Sequence, residues 1–459
     1  MGTYYDRIAP LLCLMLSRPS ECSSGSTSSS KLSELEHHDD LEHLALIHAL
    51  LHKDGSSQRD EGDSENSDDE DSAEDEDECD SDRECTKKPL DLTWLFKLPD
   101  KQFRQATRTS KTSFLWIFNQ IKDNPIFRRE GAPQFSIVQQ LALTLELFGS
   151  NGREELAGPL AAKLGLSRRD AIKVIYGPMQ AILALGSRYV TWPNDARKQS
   201  ISNVMKNQGF EGCVGSLDDI TVPTSFSPGD DSFLNSKTGR YSINAQIVCD
   251  SNNRITACFS GWPGDWRGSL SYEKTPLHQN PKKFFDPGKA PYNLACLPTV
   301  RLKRSPPSDP IVLPLLPGEY LIADSAYRPS RTIVPPSNAP APKAKPDEEF
   351  DFCLAKAHGH SEKTIGGLKA RWASLKEIRL SRNAGVKHYI QWIHCCTILY
   401  NMLAQFGDPW DQVDNHPSKP LASPPTVRNT RTLDSFRSTV KSKCIEHNYR
   451  TGTLPIPRP

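Results

Sequence analysis

Three acidic residues stand out for their positions relative to the apolar stretches around them. Asp218 follows one β-branched run, Asp324 follows another, and Glu362 lies near the start of a stretch with helical spacing. Carboxylates at adjacent strand ends and on a flanking helix can converge on one point. Such a cluster repels itself unless cations occupy it, and hard oxygen ligands of this kind favour Mg²⁺ or Mn²⁺.

Two such ions about 4 Å apart can activate a water and stabilise the leaving oxygen in phosphodiester displacement. The chemistry that this pattern indicates is DNA cleavage. A structural interpretation also fits, with Asp218 and Asp324 as turn residues and Glu362 as an exposed first-turn acid stabilised by the helix dipole. Spacing taken alone favours the structural interpretation.

The elements that must position these residues follow from the periodicity of apolar side chains. Strand-like runs are followed by two helical stretches, which predicts an α+β unit from about 205 to 405. The carboxylates Asp218 and Asp219 are expected where the first strand leaves the sheet. The predicted strands are 213–222, 240–249, 254–260 and 319–322, the predicted helices are 361–380 and 386–403, and the Pro-rich stretches 305–317 and 335–346 are predicted loops.

Residues 91–195 are predicted to form an all-helical unit. Within it, 154–164 and 168–185 have helical spacing on either side of a Gly-Leu-Ser turn, which is the pattern of a helix-turn-helix. In such a unit the second helix enters the major groove, so Arg168, Arg169 and Lys173 would lie near phosphates or base edges. An ordinary helical hairpin packed into a core fits the same residues.

The charge of the chain is unevenly distributed. The formal net charge is +0, yet residues 54–85 contain seventeen Asp and Glu against two Lys and Arg, so the remainder carries +15. That balance favours partners with phosphate backbones and argues against a plain metabolic enzyme. The Ser-rich and acidic residues 1–90 and the polar, Pro-rich residues 406–459 are predicted to be disordered. No apolar window is long enough for a membrane span.

Six motifs occur in an order that resembles PIF/Harbinger-type transposases and harbinger-derived nucleases, which are DDE superfamily endonucleases. The resemblance covers about 205 to 403. The motifs are Gly215 to Pro223, Asn235 to Gln246 with Asp250 after it, Gly261-Trp262-Pro263-Gly264, the 320–327 segment with Asp324, the 361–372 helix with Glu362, and Cys396 to Asn401.

The resemblance implies a ribonuclease-H-like fold in which Asp218, Asp324 and Glu362 bind two Mg²⁺ or Mn²⁺ ions and act as the catalytic triad. It also implies that Lys369 and Arg371, on the Glu362 helix, meet DNA phosphates, although solvation of the helix surface explains them equally. Double-stranded DNA is the expected partner, which would place the protein in the nucleus. A separate Myb-like DNA-binding protein and a homo-oligomer are compatible with the resemblance.

Four positions depart from the family pattern. Gly268 stands where family members usually have an Asp, and Asp265, three residues earlier, is a candidate substitute metal ligand. Asp219 replaces a usual Gly, His358 a usual Arg and Tyr400 a usual His. His358 is either a neighbour of Glu362 in the site or an exposed loop residue. These departures keep open an alternative function, that of a catalytically inactive, domesticated DNA-binding protein.

Overall fold

The computed structural model of the chain describes residues 92–128, 135–150, 158–229, 231–235, 238–285, 318–337, 343–380, 382, 384–410 and 431–455. The predicted disorder of residues 1–90 lies outside these residues. Among the described helices, none is long and apolar enough to cross a bilayer.

The described residues before the sheet are helical. Several of these helices begin at a Ser or Asn whose side chain accepts a backbone N–H from the first turn, as Ser110, Ser136, Ser167 and Asn194 do. The helices are α1 (Thr93–Lys97), α2 (Asp100–Thr107), α3 (Lys111–Ile121), α4 (Ile137–Gly149), α5 (Pro159–Lys163), α6 (Arg168–Val174), α7 (Tyr176–Ala184), α8 (Gly186–Tyr189) and α9 (Asp195–Lys206).

The segment predicted as a helix-turn-helix differs in detail from the prediction. Its first helix, α5, begins at Pro159, while 151–157 lie outside the described residues. The second predicted helix is divided at Ile175 into α6 and α7. DNA recognition by this segment stays a prediction.

A mixed sheet follows the helical unit. Its order is β4-β3-β1-β5-β6, with the short β2 paired to the beginning of β3. β3 runs antiparallel to both β1 and β4, whereas β5 and β6 run parallel to β1. The strands are β1 (Cys213–Pro223), β2 (Leu234–Asn235), β3 (Arg240–Cys249), β4 (Ile255–Pro263), β5 (Tyr320–Ala323) and β6 (Ile333–Val334).

Helices cover both faces of this sheet. On one face, side chains such as Ile220 and Ile322 pack towards the long helices, and on the other, Leu217 and Ala323 pack towards the short ones. The short helices are α10 (Ser269–Tyr272), α11 (Pro276–Gln279) and α12 (Pro281–Phe284), and the long ones are α13 (Lys345–Arg371), α14 (Val386–Phe406) and α15 (Arg431–Arg450).

One predicted position and one predicted boundary in this unit are wrong. Asp218 and Asp219, expected where the first strand leaves the sheet, lie within β1, which continues to Pro223 because Ile220 and Val222 extend its buried face into the core. Helix α13 begins at Lys345, sixteen residues before the predicted start and inside a stretch that its prolines indicated to be a loop. Proline is tolerated in a first helical turn, which is where α13 has it.

The C-terminal residues also correct the prediction of a disordered tail from 406 onwards. Helix α15 packs against α13, and its Val440 and Cys444 are buried there together with Leu454. Lys441 Nζ lies 2.6 Å from a carboxylate oxygen of Asp347 near the start of α13. A few well-placed apolar residues are enough to attach this otherwise polar segment.

A buried ion pair joins the helical unit to the end of the sheet unit. The side chains of Arg371 on α13 and Asp408 after α14 are 2% and 4% exposed, and their nearest charged atoms are 3.2 Å apart. Arg104 of α2 pairs with the same carboxylate, which also accepts the Ser110 N–H at 2.9 Å. The Trp410 ring lies within cation–π distance of Arg371, with 5.5 Å between guanidinium carbon and ring centroid.

We expect Asp408→Ala to lower the free energy of unfolding by about 3 kcal/mol or more, because it leaves the Arg371 guanidinium buried without its anion. Asp170→Ala is the control, since Asp170 pairs with Lys173 at an exposed position and should cost less than about 1 kcal/mol. Urea unfolding followed by tryptophan fluorescence measures both. Equal losses in the two variants would contradict the importance of the buried pair.

Candidate active site

Two of the three predicted carboxylates are neighbours on adjacent parallel strands. Leu217 of β1 is aligned with Ala323 of β5, so the next residues, Asp218 and Asp324, lie side by side. Because side chains alternate along a strand, both carboxylates lie on the face that α13 covers. Asp324 comes immediately after β5, whereas Asp218 lies in the middle of β1.

Burial and mutual repulsion make this pair resist ionisation. Burial raises the pKa of Asp218 to about 7, with Asp219 and Asp324 adding to the increase and His358 opposing it. The pKa of Asp324 is raised as well, mainly by burial, while the Ala326 N–H and the charge of Arg267 oppose the rise. Neighbouring cations are therefore what favours the charged form of both carboxylates.

His358 is one neighbour that favours the ionised form of Asp218. It lies on α13, is 4% exposed, and its Nε2 is 3.1 Å from the carbonyl oxygen of Leu217. The interpretation of His358 as an exposed loop residue is wrong, because α13 already begins at Lys345 and carries the ring inward over β1.

Glu362 lies one helical turn after His358, and its side chain is exposed. Within the described part of the chain, no hydrogen bond or ion pair engages it. No three His, Cys, Asp or Glu side chains among the described residues are close enough together to hold an ion. The structure thus brings Asp218 and Asp324 together, whereas Glu362 lies exposed on the covering helix and does not join them.

The chemistry of the Asp218–Asp324 pair fits a divalent cation. Both side chains offer hard oxygen donors of the type that Mg²⁺ and Mn²⁺ prefer. Burial and mutual repulsion raise the pKa of both partly buried carboxylates, and a divalent cation would favour their ionised forms in place of a proton.

A buried polar network lies on the opposite face of the sheet, under α10. Asn244 donates to the Asp219 carboxylate at 2.6 Å, and Gln246 donates to Asn244 at 3.2 Å and to Ser271 at 2.7 Å. The Tyr327 hydroxyl donates to Gln246 at 2.6 Å, which connects the turn after Asp324 to the network. Sequence reasoning missed this role, although polar residues that alternate within an apolar strand are a visible signal.

The turn around Gly268 cannot house the carboxylate that the family pattern has there. Gly268 has φ +55°, and a Cβ atom built on it would lie 2.3 Å from the Ala326 carbonyl oxygen. The same carbonyl accepts the Ser269 N–H at 3.2 Å, which holds the turn against the residues after Asp324. The proposed substitute, Asp265, is exposed and accepts a hydrogen bond from Asn235.

The three basic residues predicted to contact DNA from the helical unit differ in exposure. Arg169 and Lys173 are exposed, and Lys173 pairs with Asp170 at 3.0 Å. Arg168 is partly buried and donates to the Arg379 carbonyl oxygen at 3.2 and 3.3 Å. Only the first two thus present an exposed positive charge.

The two basic residues predicted on the Glu362 helix point to different environments. Lys369 is partly buried; burial lowers its pKa, and the charges of Asp218 and Asp219 oppose that change. Its ammonium group is therefore a neighbour of the carboxylates. Arg371 is occupied in the buried pair with Asp408 and has no exposed surface to offer a phosphate.

Residues 215–401 match the family model of the DDE superfamily endonucleases. The matched region runs from β1 to α14 and includes Asp218, Asp324 and Glu362, and this part of the chain is thereby similar to a nuclease of the transposase type. The chain matches no curated protein and no solved structure.

In the presence of a metal chelator, we expect the free energy of unfolding of the wild-type protein to fall as the pH rises from 5 to 8. The fall should be smaller in Asp218→Asn. The folded pKa of Asp218, about 7, lies above the unfolded value of about 3.9. The folded state therefore binds a proton that the unfolded state has released, and this contribution to the free energy of unfolding falls as the pH rises through that interval. Thermal midpoints measured at several pH values test this, and parallel curves for the two proteins would contradict it.

We expect Gly268→Asp, which would restore the usual family residue, to destabilise the protein. The positive φ and the approach to Ala326 both oppose a side chain there. Gly239→Asp is a matched control, because Gly239 has φ +65° with nothing within 4 Å of an added Cβ, so only the backbone strain of about 1 kcal/mol remains. If calorimetry shows equal losses of stability in the two variants, the predicted collision with the turn at Ala326 is contradicted.

Proposed function

We propose that residues 205–405 form a ribonuclease-H-like nuclease that cleaves DNA phosphodiester bonds in a reaction of the transposase type. The observation that carries this proposal is the alignment of Asp218 with Asp324 across the parallel pair β1 and β5. The strand order supports it, with a central β1 between an antiparallel β3 and a parallel β5, which is the arrangement expected of that fold.

In this proposal Asp218 and Asp324 hold divalent cations, and Glu362 completes the set by turning its exposed side chain towards them from α13. Bound Mg²⁺ or Mn²⁺ would activate a water and stabilise the leaving oxygen of the phosphodiester. His358 stabilises the ionised form of Asp218, and its contact with the Leu217 carbonyl fixes the distance between α13 and β1.

The chain's own contribution beyond the carboxylates is to hold the Asp324 turn in position. The Asp324 carboxylate accepts the Ala326 N–H at 3.0 Å, and Tyr327 is buried with its hydroxyl on Gln246. Because Ser269 and Ala326 are also hydrogen-bonded, the turn is held from both the sheet and α10. A carboxylate fixed in this way loses little conformational entropy when it binds an ion.

Double-stranded DNA is the proposed substrate. The exposed Arg169 and Lys173 of the helical unit, together with the positive balance of the chain outside 54–85, suit a phosphate backbone. A DNA substrate in turn favours a nuclear location. Assembly with a Myb-like protein, or of copies of this chain with one another, would be compatible with this proposal.

A second candidate function is DNA binding without cleavage. It is favoured by the exposed position of Glu362, which leaves two gathered carboxylates where the triad needs three, and by the exclusion of a carboxylate at Gly268. The two functions differ in whether the protein cleaves DNA when Mg²⁺ is present.

We expect the full-length protein to nick supercoiled plasmid with Mg²⁺ or Mn²⁺ but not with chelator, and Asp324→Ala to abolish nicking. Asp123→Ala, which removes an exposed acid after α3, away from Arg169 and Lys173 in sequence, serves as the control and should keep wild-type activity. Gel electrophoresis of the plasmid measures all three proteins.

Equal nicking by wild type and Asp324→Ala would exclude Asp324 from the reaction and would overturn the nuclease proposal. Salt-sensitive duplex binding by wild type without nicking would instead support the second function.

A further inference from the structure

Arg267 is a charged residue at the rim of the carboxylate pair to which the resemblance gives no function. It lies in the turn between β4 and α10, directly before Gly268, whose backbone is held against Ala326. The Arg267 carbonyl accepts the Leu270 N–H at 3.2 Å, and its N–H donates to the Asp265 carbonyl at 3.1 Å. The point from which this long side chain departs is therefore fixed.

One nitrogen of the Arg267 guanidinium contacts a buried acid. Its Nε is 3.4 Å from Oδ2 of Asp219, whose side chain is 1% exposed, whereas the Arg267 side chain is 45% exposed. Asn244 donates to the same carboxylate oxygen and orients it. Hydrogen bonds within the described residues do not engage Nη1 or Nη2, so the two ends of the guanidinium fork remain available at the surface.

The charge of Arg267 acts on the carboxylates that the proposed reaction needs. It lowers the pKa of Asp324, which opposes the effect of burial, and it also lowers the pKa of Lys369. Arg267 is thus close to both side chains while remaining accessible to a ligand. A phosphodiester that is to be cleaved must lie over Asp218 and Asp324, which repel it.

We propose that Arg267 binds the phosphate to be cleaved through Nη1 and Nη2, while its Nε stays on Asp219. The planar fork of an arginine matches two phosphate oxygens, and a charge already positioned at the site requires no reorganisation when negative charge develops there. Arg267 would therefore contact the reacting group itself. This inference rests on the proposed nuclease function.

The test compares Arg267→Gln and Arg267→Lys with a matched control, Arg328→Gln. Arg328 follows the Asp324 turn, its side chain is 40% exposed, and it pairs with Glu273, so the control removes one arginine of similar exposure from the same region. Duplex affinity is measured by fluorescence anisotropy in chelator over a series of salt concentrations, and plasmid nicking is measured with Mg²⁺.

In Arg267→Gln, the slope of log affinity against log salt should fall by about 1, as for the loss of one phosphate contact, and the nicking rate should fall about 100-fold. Arg267→Lys should keep the wild-type salt slope, because the charge remains, but should still nick at least 10-fold more slowly because the fork is lost. Arg328→Gln should nick like wild type.

If Arg267→Gln has the same salt slope and the same nicking rate as Arg328→Gln, the inference is overturned while the nuclease proposal stays in place. Wild type that binds DNA without nicking would refute the nuclease proposal and the claim that the bound phosphate is cleaved, while the salt slope would still decide whether Arg267 holds a phosphate. Wild type without any duplex affinity would overturn both, since Arg267 would then have no phosphate to hold.

Discussion

The repulsion between two partly buried carboxylates is the constraint on which the rest of the site depends. Parallel pairing of β1 with β5 forces Asp218 and Asp324 together, and the covering helix reduces their contact with water. Each carboxylate would be easier to ionise if it were alone and exposed. The fold tolerates this cost because two neighbouring groups, His358 from the helix above and Arg267 from the adjacent turn, each offset part of it.

The two faces of the sheet contribute differently to the site. On the α13 face, His358 contacts the β1 backbone and Lys369 lies close to Asp218. The α10 face carries the ion pair of Asp219 with Arg267. Next to it, a chain of uncharged hydrogen bonds runs from Asn244 through Gln246 to Tyr327 and fixes the turn after Asp324. Such a network is satisfied internally, so it can hold geometry without adding to the charge of the site.

Much of this arrangement could be predicted from the sequence, and the exceptions have physical reasons. The strands β1, β3, β4 and β5 were visible as β-branched runs, because a buried sheet selects those residues along its whole length. The start of α13 was hidden by prolines that its first turn accommodates, and that error misplaced His358. Helix α15 was missed because only a few buried residues attach it. The burial of Arg371 was invisible too, since its partner Asp408 is far along the chain.

The residues at 219 and 268, where the resemblance predicts a Gly and an Asp, are connected in the structure. Gly268 leaves no room for a side chain, because the turn that contains it is in contact with Ala326. Arg267, its neighbour in the chain, pairs with Asp219, so the turn that contains Gly268 is linked to β1 by one ion pair. A buried carboxylate such as that of Asp219 destabilises the folded state when it has no partner, and Arg267 supplies one from the rim. Asp219 and the turn that contains Gly268 therefore form one arrangement of charge beside Asp324, in which the sheet carries the negative side chain and the turn presents the positive one.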